Sequence, residues 1–138
     1  MIPSPYLGND YILNPEYCKG LSGNNVLSDF DGLNNTQALV GLGSDYVAAN
    51  AAWNYKDMTS DVQWYLPAMG ELGFVMVRLN AINEALTKVG GFAVTVDTGF
   101  WSSSEYSGIY AHILSTRNGN VLPYSRRNNS CVRPVACV

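Results

Sequence analysis

From Phe92 to the C-terminus, apolar side chains come in short runs broken by Gly, Ser, Asn and Pro: "FAVTV", "GFWSSSEY", "IYAHILST", "NVLPYSRR" and "CVRPVACV". Runs of this length, rich in β-branched and aromatic residues, predict strands. Asn118-Gly119 lies between two of them and predicts a two-residue hairpin turn, because both residue types tolerate positive φ. Upstream the period changes. Leu72, Val75, Met76 and Leu79 recur at helical spacing behind Pro67, whose missing N–H suits a helix entry, and predict a helix from Met69 to Leu79. Asn80 or Asn83 breaks or bends it. Ile82, Leu86 and Val89 continue an apolar face, and Gly90-Gly91 supplies a stop. Asn35 or Thr36 can cap an earlier short helix bearing Ala38, Leu39 and Leu42, interrupted by Gly41 and Gly43. Ser44 can cap a second stretch, with Tyr46, Val47, Ala49 and Trp53 at helical spacing. Val62–Leu66 reads as a short strand. The first 30 residues, rich in Gly, Asn, Pro and Tyr, read as an irregular arm with a short strand near Tyr11–Leu13.

That order gives the class α+β: two helices packed on a small twisted antiparallel sheet, behind an irregular N-terminal arm. At 138 residues the chain supports a single core, so one domain over 1–138 is expected.

Composition adds exclusions. No apolar run approaches the roughly 18 residues of a membrane span. The opening "MIPSPYLGND" has neither a basic n-region nor an apolar h-region, so no signal peptide and no membrane insertion are expected. The net charge of −3 argues against nucleic acid as a partner. The charge is unevenly spread. Residues 1–105 hold all 11 carboxylates against Lys19, Lys56, Arg78 and Lys88, whereas residues 106–138 hold Arg117, Arg126, Arg127 and Arg133 and no carboxylate. A basic patch suits phosphate or sulfated sugar; a tail folded on an acidic body explains it equally well.

Catalytic and metal constellations are sparse. His112 is the one histidine, and its setting in a strand pattern favours a binding or structural role over catalysis. Glu71 and Glu105 are a candidate carboxylate pair, but nothing in the sequence brings them together; pairing Arg133 inside the fold is their cheaper task. Asp29, Asp31, Asn34 and Asn35 have part of a calcium-loop spacing without its terminal Glu, so turn and helix-cap duty explains them. Cys18, Cys131 and Cys137 lack C-x-x-C spacing, which indicates neither a disulfide framework nor zinc. Cys137 reads as core, and a Cys18–Cys131 bridge stays open. No catalytic residue, metal or cofactor is expected.

Several stretches together resemble a known family. "DGLNNTQALV", "WYLPAMGEL", "INEAL", "FWSSSEY" and "VRPV" occur in the order found in the C-terminal domain of bacterial collagen-like adhesins and their phage relatives, over about residues 29–136. The resemblance implies a C-type-lectin-like fold and a ligand-binding module rather than an enzyme. The E-P-N, Q-P-D and W-N-D motifs of calcium-dependent sugar binding are absent. The tail is similar to variable proteins of diversity-generating retroelements, common in phages of gut bacteria. There, adenine randomisation turns AAY codons into NNY, which never encodes Met, Lys, Glu, Gln or Trp. Those five types occur 16 times in residues 1–105 and not once in residues 106–138.

With the resemblance, strand alternation assigns a surface. Tyr110, His112, Leu114 and Thr116 share one side, with Ala111 and Ile113 directed to the core. Asn120, Leu122 and Tyr124 add a second outward row, with Val121 inward. Ser107, Gly108, Ile109, Ser125, Arg127 and Asn129 fill loops and rim, within a variable region of about 100–136. Trp101, Glu105, Gly119, Val132, Arg133, Pro134 and Glu71 are the expected framework, with Arg133 buried against Glu105 or Glu71. An exposed aromatic cluster suits recognition. The expected partner is a host-cell surface protein or glycan met by a virion-associated or cell-surface protein; self-association is compatible with the same apolar face. The alternatives are a glycan-binding adhesin domain without diversification and a catalytic relative of the formylglycine-generating type. The latter needs a reactive cysteine pair, and the separation of Cys131 from Cys137 counts against it.

Overall fold

The computed structural model describes residues 30–44, 46–56, 61–94, 99–107, 110–125, 128 and 130–137, with backbone alone for 2–3 and 105–107. Among these, the order is β1 (Ile2–Pro3), α1 (Gly32–Leu42), α2 (Val47–Asn54), α3 (Met69–Val77), α4 (Leu79–Lys88), β2 (Gly99–Ser107), β3 (Tyr110–Ser115), β4 (Val121–Ser125) and β5 (Val135–Ala136). The class is α+β, with four helices among the described residues where the sequence pattern predicts two. A meander β2–β3–β4 forms the larger sheet, and β1 pairs antiparallel with β5. The strand expected near Tyr11–Leu13 lies outside the described residues. Val62–Leu66 contributes only an isolated bridge, Tyr65 to Val135.

Helix boundaries follow local chemistry. Asp31, not Asn35 or Thr36, caps α1; its carboxylate accepts from the backbone and the side chain of Asn34 at 3.1 and 2.7 Å. Ser44 does not cap α2, which begins after Tyr46 with no side-chain cap. The bend between α3 and α4 falls at Arg78 rather than at Asn80 or Asn83. Asn83 instead exchanges two bonds with the backbone of Val94, at 2.7 and 3.0 Å, and ties α4 to the chain that follows. The stop at Gly90-Gly91 is a Schellman motif. Gly90 adopts φ 74°, and the N–H groups of Gly90 and Gly91 donate to the carbonyls of Thr87 and Leu86.

Both faces of the meander are packed. On one side Trp101 and Ile113 meet Ala48 and Ala52 of α2, Leu66 and Val132. On the other, Phe100 and Leu114 meet Leu72 of α3, Leu86 of α4 and Val94. A third cluster, Leu39, Tyr46 and Ala49, joins α1 to α2.

Candidate functional site

The β3–β4 hairpin carries most of the sequence-derived surface, and its register revises that surface. Cα partners are Tyr110–Ser125, Ala111–Tyr124, His112–Pro123, Ile113–Leu122 and Leu114–Val121. Partners in an antiparallel pair share a face, so the even-numbered residues of β3 face the same way as the odd-numbered residues of β4. Leu122 and Tyr124 therefore belong with Ala111 and Ile113. Both pack against the Trp101 cluster, and the Tyr124 ring centroid lies 5.9 Å from that of Trp101. Of the expected second outward row, Leu122 and Tyr124 are thus inward and only Asn120 is exposed, and Val121 is outward, at 36% exposure.

The first row is also divided. Tyr110 is 38% exposed, His112 is half-buried, and Leu114 and Thr116 are buried at 2% each. Leu114 turns the same way as Tyr110 but meets α3 and α4, because the helices cover the turn end of that face. The turn explains part of the error. The loop spans Thr116 to Gly119: Ser115 N–H donates to Asn120 C=O at 2.8 Å, and Gly119 N–H to Ser115 C=O at 2.9 Å. Gly119 is at positive φ, 73°, but four residues separate the bonded Ser115 and Asn120, so this is not the two-residue turn the Asn-Gly pair predicts. A Cβ on Gly119 would lie 3.6 Å from Met76 Cγ, so the tip rests on α3. What stays solvent-facing is Tyr110, Val121 and Pro123, with Asn120 exposed beside the turn and His112 and Ser125 half-buried. Ser107 is described by its backbone, opposite Tyr110. Gly108, Ile109, Arg127 and Asn129 lie outside the described residues.

Three of the segments carrying the resemblance, "DGLNNTQALV", "WYLPAMGEL" and "FWSSSEY", meet elsewhere, in one half-buried junction. Glu71 is its centre. Its Oε2 accepts from Gly32 N–H at the start of α1 (3.1 Å) and from Ala68 N–H at the start of α3 (2.8 Å), while Oε1 accepts from the Tyr65 hydroxyl (3.1 Å). One carboxylate thus serves two helix N-termini, where unpaired N–H groups and the helix dipoles favour an anion. Gly32 has to be glycine for this approach. A Cβ there would land on Glu71 Oε2, 2.6 Å from Ala68 N and 2.8 Å from Leu66 O. Ala68 has no side-chain acceptor for its own helix, and Ser104 of β2 supplies one, taking Met69 N–H at 3.0 Å.

Neighbouring Ser residues complete the link. The register of β2 on β3 slips between Trp101 and Glu105, and the bulge holds Ser102, Ser103 and Ser104. Ser102 donates to the His112 carbonyl at 2.7 Å; Ser103 N–H donates to the Pro67 carbonyl at 2.8 Å, and its hydroxyl accepts from Asn35 at 3.3 Å. Thr36 Oγ1 accepts Leu66 N–H at 2.9 Å and lies 2.7 Å from the Gly32 carbonyl oxygen. Asn35 and Thr36 are therefore buried links, while Ala38 and Leu42 of the expected apolar face are exposed.

Arg133 is buried, as expected, but Glu71 is not its partner. Arg133 donates to the Phe92 carbonyl at 3.3 Å, and Glu71 is occupied by Gly32, Ala68 and Tyr65. The Glu105 side chain lies outside the described residues. Cys137 is exposed rather than core, with its Sγ 3.2 Å from the Tyr65 hydroxyl. Burial pushes the Tyr65 phenol well above its ordinary value, and the Cys137 contact and the Glu71 charge act the same way. Cys18 lies outside the described residues, so a Cys18–Cys131 bridge does too.

Among the described residues no group of three or more His, Cys, Asp or Glu is placed to hold a metal, and no helix is long and apolar enough to cross a membrane. A shallow groove follows α2 past Val47, Asn50, Asn54 and Tyr55, but the Asn50 amide is already spent on the carbonyls of Gly43 and Tyr46. The junction is occupied by its own bonds, which leaves the outer row of the hairpin as the candidate surface. The chain matches no family model and no curated protein sequence.

Proposed function

We propose that this chain is a C-type-lectin-like variable protein that binds a partner noncovalently through the outer row of its β3–β4 hairpin. The observation that carries the reading is the exposure of Tyr110, Val121 and Pro123 on one side of a hairpin whose other side is core. Aromatic and ring side chains offer contact area with little rotamer entropy to lose, and the packed sheet beneath keeps them in place. The family-like segments support the same division of labour. Three of them are spent on the junction around Glu71 and the Ser102–Ser104 bulge, and "INEAL" and "VRPV" contribute to the core clusters, which leaves the hairpin to vary. The absence of Met, Lys, Glu, Gln and Trp from residues 106–138 fits an NNY-randomised tail.

The partner is a host-cell surface protein or glycan, met by a virion-associated or cell-surface protein, and the role is binding rather than catalysis. The test is genomic and biochemical. Flanking DNA should hold a reverse-transcriptase gene and a near-copy of the 3′ end differing mainly at adenines; an intact locus with neither removes the diversification reading. Labelled protein should stain partner cells, and Tyr110→Ala should abolish staining at an unchanged melting temperature. Residues 106–138 contain four arginines and no carboxylate, and Arg117 among them is exposed, which favours one second reading, a glycan adhesin without diversification. Salt-sensitive heparin binding at a locus without the repeat would select it.

A further inference from the structure

Among the described residues, the sheet order leaves β4 as an outer strand. The bond from Ser115 N–H to Asn120 C=O fixes the phase of the β3–β4 ladder. Bonded and non-bonded pairs alternate in an antiparallel ladder, so Ile113–Leu122 and Ala111–Tyr124 exchange bonds across it. Val121, Pro123 and Ser125 then direct their backbone groups away from β3. Pro123, the middle one, has no N–H to offer, and its ring occupies the space an incoming strand would need. Val121 and Pro123 are both exposed, so water and a second chain reach this edge there, while the Ser125 carbonyl is already taken by Asn128 N–H at 2.9 Å.

We infer that Pro123 closes the outer edge of β4 to strand addition, so that a partner of this hairpin is met by side chains and not by a shared β-ladder. The closure stands on the ladder alone; its meaning for a partner rests on the recognition reading. Placing the proline at an outward position leaves the inner ladder whole while removing the central donor of the outer one. The opposite edge of the sheet needs no such device. Beside β2, Cys131 N–H donates to Gly99 C=O and Trp101 N–H to Cys131 C=O, both at 2.9 Å.

The experiment uses a fluorescein-labelled peptide with the sequence YAHILST, the chain's own partner for β4, and reads anisotropy alongside solution mass by light scattering. Pro123→Thr should bind the peptide at least about tenfold more tightly than the natural chain, or dimerise where the natural chain does not. Val121→Pro added to Pro123→Thr should abolish the gain, because it removes the neighbouring outward donor and spares the bonds to β3. Pro123→Ala makes the same test should Pro123→Thr lower the melting midpoint. Equal peptide affinity and equal mass in the natural chain and the unblocked variants would overturn the closure. Loss of cell staining in Tyr110→Ala bears on recognition alone, so the two ideas fail separately.

Discussion

Glu71 holds three donors from three places in the chain, the amides of Gly32 and Ala68 and the hydroxyl of Tyr65. Glu71→Ala strands all three, and we expect a loss of about 3 kcal/mol in chemical denaturation, the scale of bonds to a charged acceptor. A loss within about 0.5 kcal/mol would refute the shared-cap account. Tyr65 makes a separate prediction in pH. The fold holds its phenol protonated beyond the ordinary value of 10.0, whereas the unfolded chain releases that proton from there upward. The stability it contributes is therefore intact below about pH 10 and declines above it. Tyr65→Phe should flatten the alkaline fall of the unfolding midpoint; superimposable profiles would contradict the burial. Little of this residue-level detail was legible beforehand. Polar Asn35, Thr36 and Ser102 to Ser104 look like surface in any periodicity argument, and only partners remote in sequence make their burial tolerable.

At the scale of elements, the strands after Gly99 and the glycine stop of α4 were readable, because period-2 runs and a Gly pair report local backbone needs. Helix starts were less so. "DGLNNT" offers four capping residues in succession, and the choice of Asp31 depends on Gly32 docking against α3. The hairpin faces were misassigned because the pattern along one strand does not say which residues of the next lie opposite. Leu114 and Tyr110 make the distinction measurable. Leu114→Ala should cost about 3 kcal/mol by opening the Phe100–Leu72–Leu86 cluster, whereas Tyr110→Ala should cost less than about 1 kcal/mol. Similar costs for both would restore a single exposed row.

On the scale of the whole molecule, two cores share one thin partition. Trp101 and Ile113 serve one face of the meander, and Phe100 and Leu114 serve the other, from neighbouring positions on the same strands. Loss of either cluster removes the support of the other, so the sheet and the helices on both faces should melt together. Leu86→Ala lies in the cluster without tryptophan, yet it should lower the midpoint seen by Trp64 and Trp101 fluorescence by as much as that seen by circular dichroism. Separate midpoints would show that the faces unfold independently. Class and the β3–β4 hairpin were visible in the sequence; the β1–β5 pairing and the two-sided packing were not, because contiguous runs such as "GFW" do not say which face each residue takes.

The parity of the hairpin ladder also sets how many variants such a tail can explore. Under the proposed diversification, randomisation acts on codons without regard to facing, but folding then filters its products. Replacements at Ala111, Ile113, Leu114, Leu122 and Tyr124 must satisfy a core, and one at Pro123 must keep the β4 edge closed, while those at Tyr110 and Val121 meet chiefly water and a partner. A displayed library randomised at the second set should retain a much larger folded fraction than one randomised at the first, and equal fractions would refute the division. The usable repertoire then grows with the outward positions alone, because most variants altered at a core position are lost before any partner is met.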